Sequence, residues 1–182
     1  IEEEVYLKKI KAFEIDYRSG NLNFDEYCSF LLKPLIGMNV NDLNKLVKVF
    51  IESHEKKLIA FTFELLKKHE NDFRIIASGS LDFIVEGFSN YFGINEFIGS
   101  SYEVIDNKIT GVLNKAAFGI GKLEKVKEWC QDNNYLLKES VFYTDSINDL
   151  PLIKACPSSI IVSPDKKLEQ YALERNLLIL NR

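Results

Sequence analysis

The chain has 182 residues, 46% of them apolar, enough to bury a core as one domain or as a domain with an inserted cap. Its 23 basic and 27 acidic residues leave a net charge of -4, which argues against a general nucleic-acid or anionic-membrane surface. No apolar run reaches the roughly 18 residues of a membrane span, no secretory signal opens the chain, and Cys28, Cys130 and Cys156 form no C-x-x-C pair, so the thiols read as reduced in a cytoplasmic protein.

From Ile1 to about Asn71 the pattern is helical. Tyr6, Ile10, Phe13 and Tyr17 recur at spacings of four, three and four, one face of a first helix that Gly20 and Asn21 stop. A second helix starts near Asn23 and ends before Pro34. A third starts near Asn41, with Asn39 and Asn41 both candidate caps. A fourth runs over Leu58 to Lys68 and packs Leu58, Phe61 and Leu65 inward.

After Asn71 the period changes. The apolar run Phe73 to Ala77 ends in Ser78-Gly79-Ser80 and leads into an amphipathic helix from Leu81 to Tyr91, half of a βα unit. Tyr102 to Ile105 and Ile109 to Leu113 flank Asp106-Asn107 as a hairpin. Helix Lys122 to Asn133, strand Val141 to Tyr143, helix Asp149 to Ala155, strand Ser159 to Val162, helix Lys166 to Asn176 and strand Leu177 to Leu180 follow in alternation. Such alternation predicts an α/β fold, a Rossmann-like parallel sheet covered by helices.

Three polar features fall at turns of that sheet. Ser78 is read as ending a strand and opening a helix, where free amides and the helix dipole favour a phosphate. Lys122 opens the next helix after Gly119-Ile120-Gly121, two glycines that let the backbone approach closely. Asp145 and Asp149 are two carboxylates four residues apart, at a strand end and in the first turn of the following helix. That is the layout of a Mg²⁺ site, because this hard cation takes one or two carboxylates plus a substrate phosphate. Hydroxyl, ammonium and metal carboxylates together surround a phosphoryl group with charge of the right sign. The bland alternatives are an N-cap serine, a solvated lysine and helix-capping aspartates.

The order and spacing of these features resemble the haloacid dehalogenase-like hydrolase superfamily, in its phosphoserine-phosphatase-like branch. Ile75-Ile76-Ala77-Ser78 is similar to the second family motif, Gly119-Ile120-Gly121-Lys122 to the third, and Tyr143-Thr144-Asp145-Ser146-Ile147-Asn148-Asp149-Leu150-Pro151-Leu152 to the fourth. Asp16 to Tyr27 and Pro34-Leu35-Ile36-Gly37 look like the helical cap that this branch inserts between its first and second motifs. The resemblance implies a cap over residues 1–71 and a hydrolase core over 72–182. It implies a magnesium-dependent phosphomonoester phosphatase working through an aspartyl-phosphate on a small phosphorylated substrate. Ser78 and the Gly79 amide would bind the phosphoryl oxygens, Lys122 would offset charge, Asp145 would bind Mg²⁺ directly with Asp149 assisting, and Asn148 would contact substrate or phosphate.

The family's first motif, D-x-D-x-T after a strand, has no match. In Phe13-Glu14-Ile15-Asp16-Tyr17-Arg18 a glutamate stands for the nucleophile and an arginine for the threonine, and the helical period assigns the segment to the cap. The expectation is a core lacking its first, central strand, completed by a preceding segment, a separate N-terminal fragment or a partner chain, and inactive without it. The alternative is a noncatalytic phosphate-binding or regulatory fragment of the same fold. A Walker loop is excluded because Ala116 stands at its first glycine and Leu123 follows the lysine. A phosphoacceptor receiver domain is disfavoured because its acidic residues come first in the chain. His54 and His69 have no companion ligands and read as surface or cap residues.

Overall fold

The computed structural model describes residues 3–19, 21–55 and 60–181. Four helices come first: α1 (Glu3–Ser19), α2 (Phe24–Leu32), α3 (Val40–Ser53) and α4 (Ala60–Lys68). On α1 the helical period holds at Phe13, which is buried against Tyr27 and Phe30, and at Tyr6, which stacks on Phe30 at 4.8 Å. Tyr17 keeps the spacing but is not packed inward. Its ring is exposed and turns toward Phe118. Gly20 and Leu58, named above as a stop and a core contact, lie outside the described residues.

Asn23 caps α2, its side chain accepting from the Glu26 amide, and Pro34 follows in a 3-10 turn, Lys33–Leu35. Of the two candidate caps for α3 it is Asn39 that serves, accepting from the Asn41 amide at 2.9 Å. Leu43, Val47 and Ile51, four apart, form the buried stripe of α3. They join Cys28 and Leu32 of α2 with Leu81, Phe83 and Ile109 in one apolar cluster, so this layer packs on the strands through a dry interface. On α4, Phe61 and Leu65 are only half-buried.

The rest alternates: β1 (Ile75–Leu81), α5 (Asp82–Phe92), β2 (Glu96–Ile105), β3 (Lys108–Lys115), α6 (Ile120–Asp132), β4 (Val141–Thr144), α7 (Leu150–Ala155), β5 (Ser158–Val162), α8 (Lys166–Glu174) and β6 (Leu178–Leu180). This is a mixed α/β fold with a parallel core covered by helices. The hairpin turn forms at Asp106-Asn107, both at positive φ, as a two-residue turn between twisted strands requires.

Two elements differ from the sequence expectation. The strand before the hairpin starts at Glu96, and its first half pairs parallel with β1, Ile75 opposite Glu96 and Ala77 opposite Ile98. Gly99-Ser100-Ser101 looks like a turn in sequence, yet Ser100 is fully buried and its hydroxyl is satisfied internally. Likewise Ser78-Gly79-Ser80 does not open a helix. The three residues form an irregular stretch of β1 that rejoins the ladder at Leu81, opposite Ser100, and α5 begins one residue later with Leu81 as its cap.

The strands fall into two three-stranded sheets, β1-β2-β3 and β4-β5-β6. Among the described residues, one edge of β1 and one edge of β4 have no strand partner. The two sheets share a core on the α6 side, where Ile98, Ala117, Leu123, Val126 and Leu152 meet Ala77 and Phe142. Ile153, Ile161, Leu168 and Ala172 seal the far side of β5.

Candidate active site

A cavity of about 670 Å³ opens between the two sheets, lined by residues 77–81 of β1 and residues 142–145 of β4 and its end. Ser78, Gly79, Lys122, Asp145, Asn148 and Asp149, all singled out from the sequence, line this one cavity.

The Ser78 loop is braced from below. The Ser80 amide donates to Ser78 Oγ at 3.2 Å, and the Ser100 hydroxyl donates to the Gly79 carbonyl at 2.7 Å while accepting from the Ala117 amide at 3.0 Å. Ser100 thus ties the β1 loop to the turn that starts α6. In the sequence, Gly99-Ser100-Ser101 carries no sign of this tie. On the α6 side, Gly119 sits at φ 54° and a side chain at Gly121 would meet the Ala116 carbonyl at 2.6 Å, so both glycines are needed to bring Lys122 in.

Lys122 and Asp149 are each 7% exposed and form an ion pair, Nζ to Oδ1 2.5 Å. The other carboxylate oxygen of Asp149 accepts from Thr144 Oγ1 at 2.7 Å. Both oxygens of Asp149 are therefore engaged within the protein, where the sequence suggested a metal ligand. The cause is the 3-10 turn Ile147–Asp149, which swings this carboxylate inward. Asp145 is the opposite case: it is exposed, and its carboxylate has no hydrogen bond or ion pair among the described residues.

The backbone around Asp145 is nonetheless fixed. Its carbonyl accepts from the Asp165 amide at 2.9 Å, and the Asp165 carboxylate accepts from the Ile147 amide at 2.7 Å while capping α8 through Lys167 and Leu168. Asp165 was not singled out from the sequence, although an aspartate before a helical run is a recognisable cap signal. Asn148 turns its side-chain amide to Ser146 Oγ at 3.2 Å, and Tyr17 from α1 comes within 3.5 Å of the same hydroxyl. Among the described residues no three of His, Cys, Asp and Glu gather into a metal-holding group.

His69, read as a surface or cap residue, is half-buried at the end of α4: its ring bridges Asp72 at 2.6 Å and the Tyr143 hydroxyl at 2.8 Å, tying that end to β4. Lys125, one turn past Lys122, is half-buried and donates to the Gly99 carbonyl and to Ser101 Oγ at 3.2 Å. Burial lowers its pKa, while nearby Asp82, itself raised by burial, pulls it back up. Lys125→Ala is therefore expected to cost about 1–2 kcal/mol of stability through the lost hydrogen bonds, read as a lower midpoint in urea. An unchanged midpoint would return Lys125 to the solvated surface. Residues 13–18, the imperfect match to the first motif, lie within α1.

The chain matches the family model for haloacid dehalogenase-like hydrolases over residues 5–154. It is 28% identical over 179 residues to a histidinol-phosphatase of Neisseria meningitidis serogroup C (strain 8013), covering 94% of this chain and 81% of that protein. A phosphoserine phosphatase of Mycobacterium tuberculosis (strain ATCC 25618 / H37Rv) is 29% identical over 84 residues, 46% of this chain and 27% of that one. Among solved structures, a protein of unknown function from Bordetella pertussis Tohama I superposes with a TM-score of 0.85 at 22% identity, covering 95% of this chain and 81% of that one. A probable phosphoserine phosphatase from Vibrio cholerae follows at 0.63 and 15% identity, covering 90% of this chain and 50% of that one. The family model, matched over residues 5–154, shows that the chain belongs to the haloacid dehalogenase-like hydrolases.

Proposed function

We propose that the protein is a magnesium-dependent phosphomonoester phosphatase that works through an aspartyl-phosphate, with α1 to α4 (residues 1–71) as a cap over the core (72–182). The observation that carries this reading is the cavity between the unpaired edges of β1 and β4, with Ser78, Lys122 and Asp145 on its walls. A strand bearing the nucleophilic aspartate fits between those edges. It would satisfy both ladders and bring its carboxylate between the Ser78 loop and Lys122. Among the described residues Asp149 is committed to Lys122 and Thr144, Glu14 and Asp16 belong to a helix, and Asp145 is assigned below to the metal.

The reaction divides between that strand and the residues described above. The aspartate oxygen attacks phosphorus in line, the bond from phosphorus to the ester oxygen breaks, and the alcohol leaves with a proton given by the second aspartate of the D-x-D-x-T motif, which takes a proton back from the attacking water in the next step. Water then attacks the same phosphorus, the aspartyl bond breaks, and inorganic phosphate is released. Ser78 Oγ and the Gly79 amide hold the phosphoryl oxygens that stay equatorial in both steps, and Lys122 offsets the charge that builds between nucleophile and phosphate. Asp149 holds the Lys122 ammonium in place through their ion pair, and would assist at the metal through water. Asn148 contacts the phosphate or the substrate beside it.

The free carboxylate of Asp145 suits Mg²⁺, which is held by one or two carboxylates, waters and phosphate oxygens. When bound there, the ion would neutralise phosphate charge. The substrate is a small phosphomonoester. The similarity to a histidinol-phosphatase and to phosphoserine phosphatases makes histidinol phosphate and phosphoserine the first two to assay.

The test compares two proteins. The 182-residue chain alone is expected to turn over no para-nitrophenyl phosphate and to form no covalent-mimic adduct with beryllofluoride. The protein carrying the additional strand should do both, with magnesium. Hydrolysis by the 182 residues alone, abolished by Glu14→Gln or Asp16→Asn, would move the nucleophile to α1 and defeat this reading.

A further inference from the structure

The cavity does not end at the phosphate loop. It continues under the helical layer, between Tyr17, Phe24, Tyr27 and Leu31 on one side and Phe83 and Ile84 on the other. Among the described residues, the charged side chains lining it are Lys122, Asp145 and Asp149, all at the end formed by the core strands. The helical end offers rings, aliphatic carbons and phenol hydroxyls.

Phe24 sets the geometry of that end. Its ring lies flat on Phe118, centroids 4.1 Å apart and planes within 4°, and it is tilted against Tyr27 at 5.8 Å. It also closes on the phosphate loop itself, because a side chain at Gly79 would meet Phe24 Cζ at 2.8 Å. An ester whose phosphoryl group rests on Ser78 and Gly79 would therefore have the Phe24 ring beside its alcohol carbons, with Tyr27 beyond it.

The chemistry of this passage discriminates. A carboxylate there would give up its hydration without meeting a cation among the described residues, which is costly. An aromatic ring gains offset or edge contacts with Phe24 and Tyr27. An ammonium is tolerated at a ring face but gains less once it is still hydrated.

We propose that the site selects phosphomonoesters whose alcohol carries an aromatic ring and no carboxylate, with Phe24 and Tyr27 as the residues that read the ring. The selection rests on the phosphatase reading above. It differs from what a phosphoserine site needs, since that substrate brings a carboxylate and no ring.

Steady-state kinetics on the intact protein with magnesium test it, using three probes: 2-phenylethyl phosphate, phosphoethanolamine and phosphoserine. The ring ester should exceed phosphoserine in kcat/KM by about tenfold or more, with phosphoethanolamine between them. Phe24→Leu and Tyr27→Leu should each narrow the ratio of 2-phenylethyl phosphate to phosphoethanolamine, chiefly through KM. A ratio taken within one variant is insensitive to a partly unfolded preparation. Phosphoserine turned over as well as the ring ester, or ratios unmoved in both variants, would overturn the selection and leave the phosphatase reading standing. No turnover of any probe or of para-nitrophenyl phosphate would overturn that reading and the selection with it.

Discussion

Lys122→Met in the intact protein should lower the rate of phosphate-ester hydrolysis by about 10²-fold or more, the usual effect of removing a group that stabilises a phosphoryl transition state. The same variant should also be less stable, because it strands Asp149 as a buried carboxylate with one partner left, and breaking a buried pair from one side costs about 3–5 kcal/mol. Rate and stability are separated by a second change. Lys122→Met combined with Asp149→Asn removes the stranded charge while leaving Thr144 an acceptor, so most of the stability should return and the activity should not. Near-normal activity in the double variant would make the pair purely structural. Lys127→Ala, exposed on the same helix, serves as the control that Lys125 cannot be, given the hydrogen bonds of Lys125 to Gly99 and Ser101.

What the sequence carried well is what local chemistry decides. The switch from helical to alternating pattern, the start of the second helix near Asn23 and the Asp106-Asn107 turn depend on neighbours within a few residues, and the structure has them all. The misses share a different cause. Asp149 has its partner 27 residues upstream, so spacing alone could not tell a metal ligand from the anchor of a lysine. Ser100 and Lys125 have the polarity of turn and surface, yet each spends it on backbone groups of another segment. Tyr17 obeys the helical period of α1 but points over the site, since a helix that roofs a cavity needs an apolar face with nothing packed beneath it. His69 reads as a solvated histidine until the chain returns with Tyr143, 74 residues later.

The contrast between the two aspartates of the fourth motif yields the remaining large effect. Asp145 is exposed, its carboxylate makes no bond among the described residues, and its backbone is held by Asp165 rather than by its own side chain. Asp145→Asn should therefore leave the thermal midpoint within about a degree of wild type, as surface changes away from packing features usually do. It should nevertheless remove most of the hydrolytic activity, because an amide replaces the anionic oxygen that a hard cation requires. Two readouts distinguish a metal role from simple damage. Titrating magnesium against residual activity should demand a much higher concentration for half-saturation, and calorimetry should show the corresponding loss of binding. Asp165→Ala, which loosens the same loop without removing a candidate ligand, should lower the rate with a smaller change in the magnesium requirement. If Asp145→Asn kept its activity toward para-nitrophenyl phosphate at ordinary magnesium concentrations, Asp145 would not be the ligand.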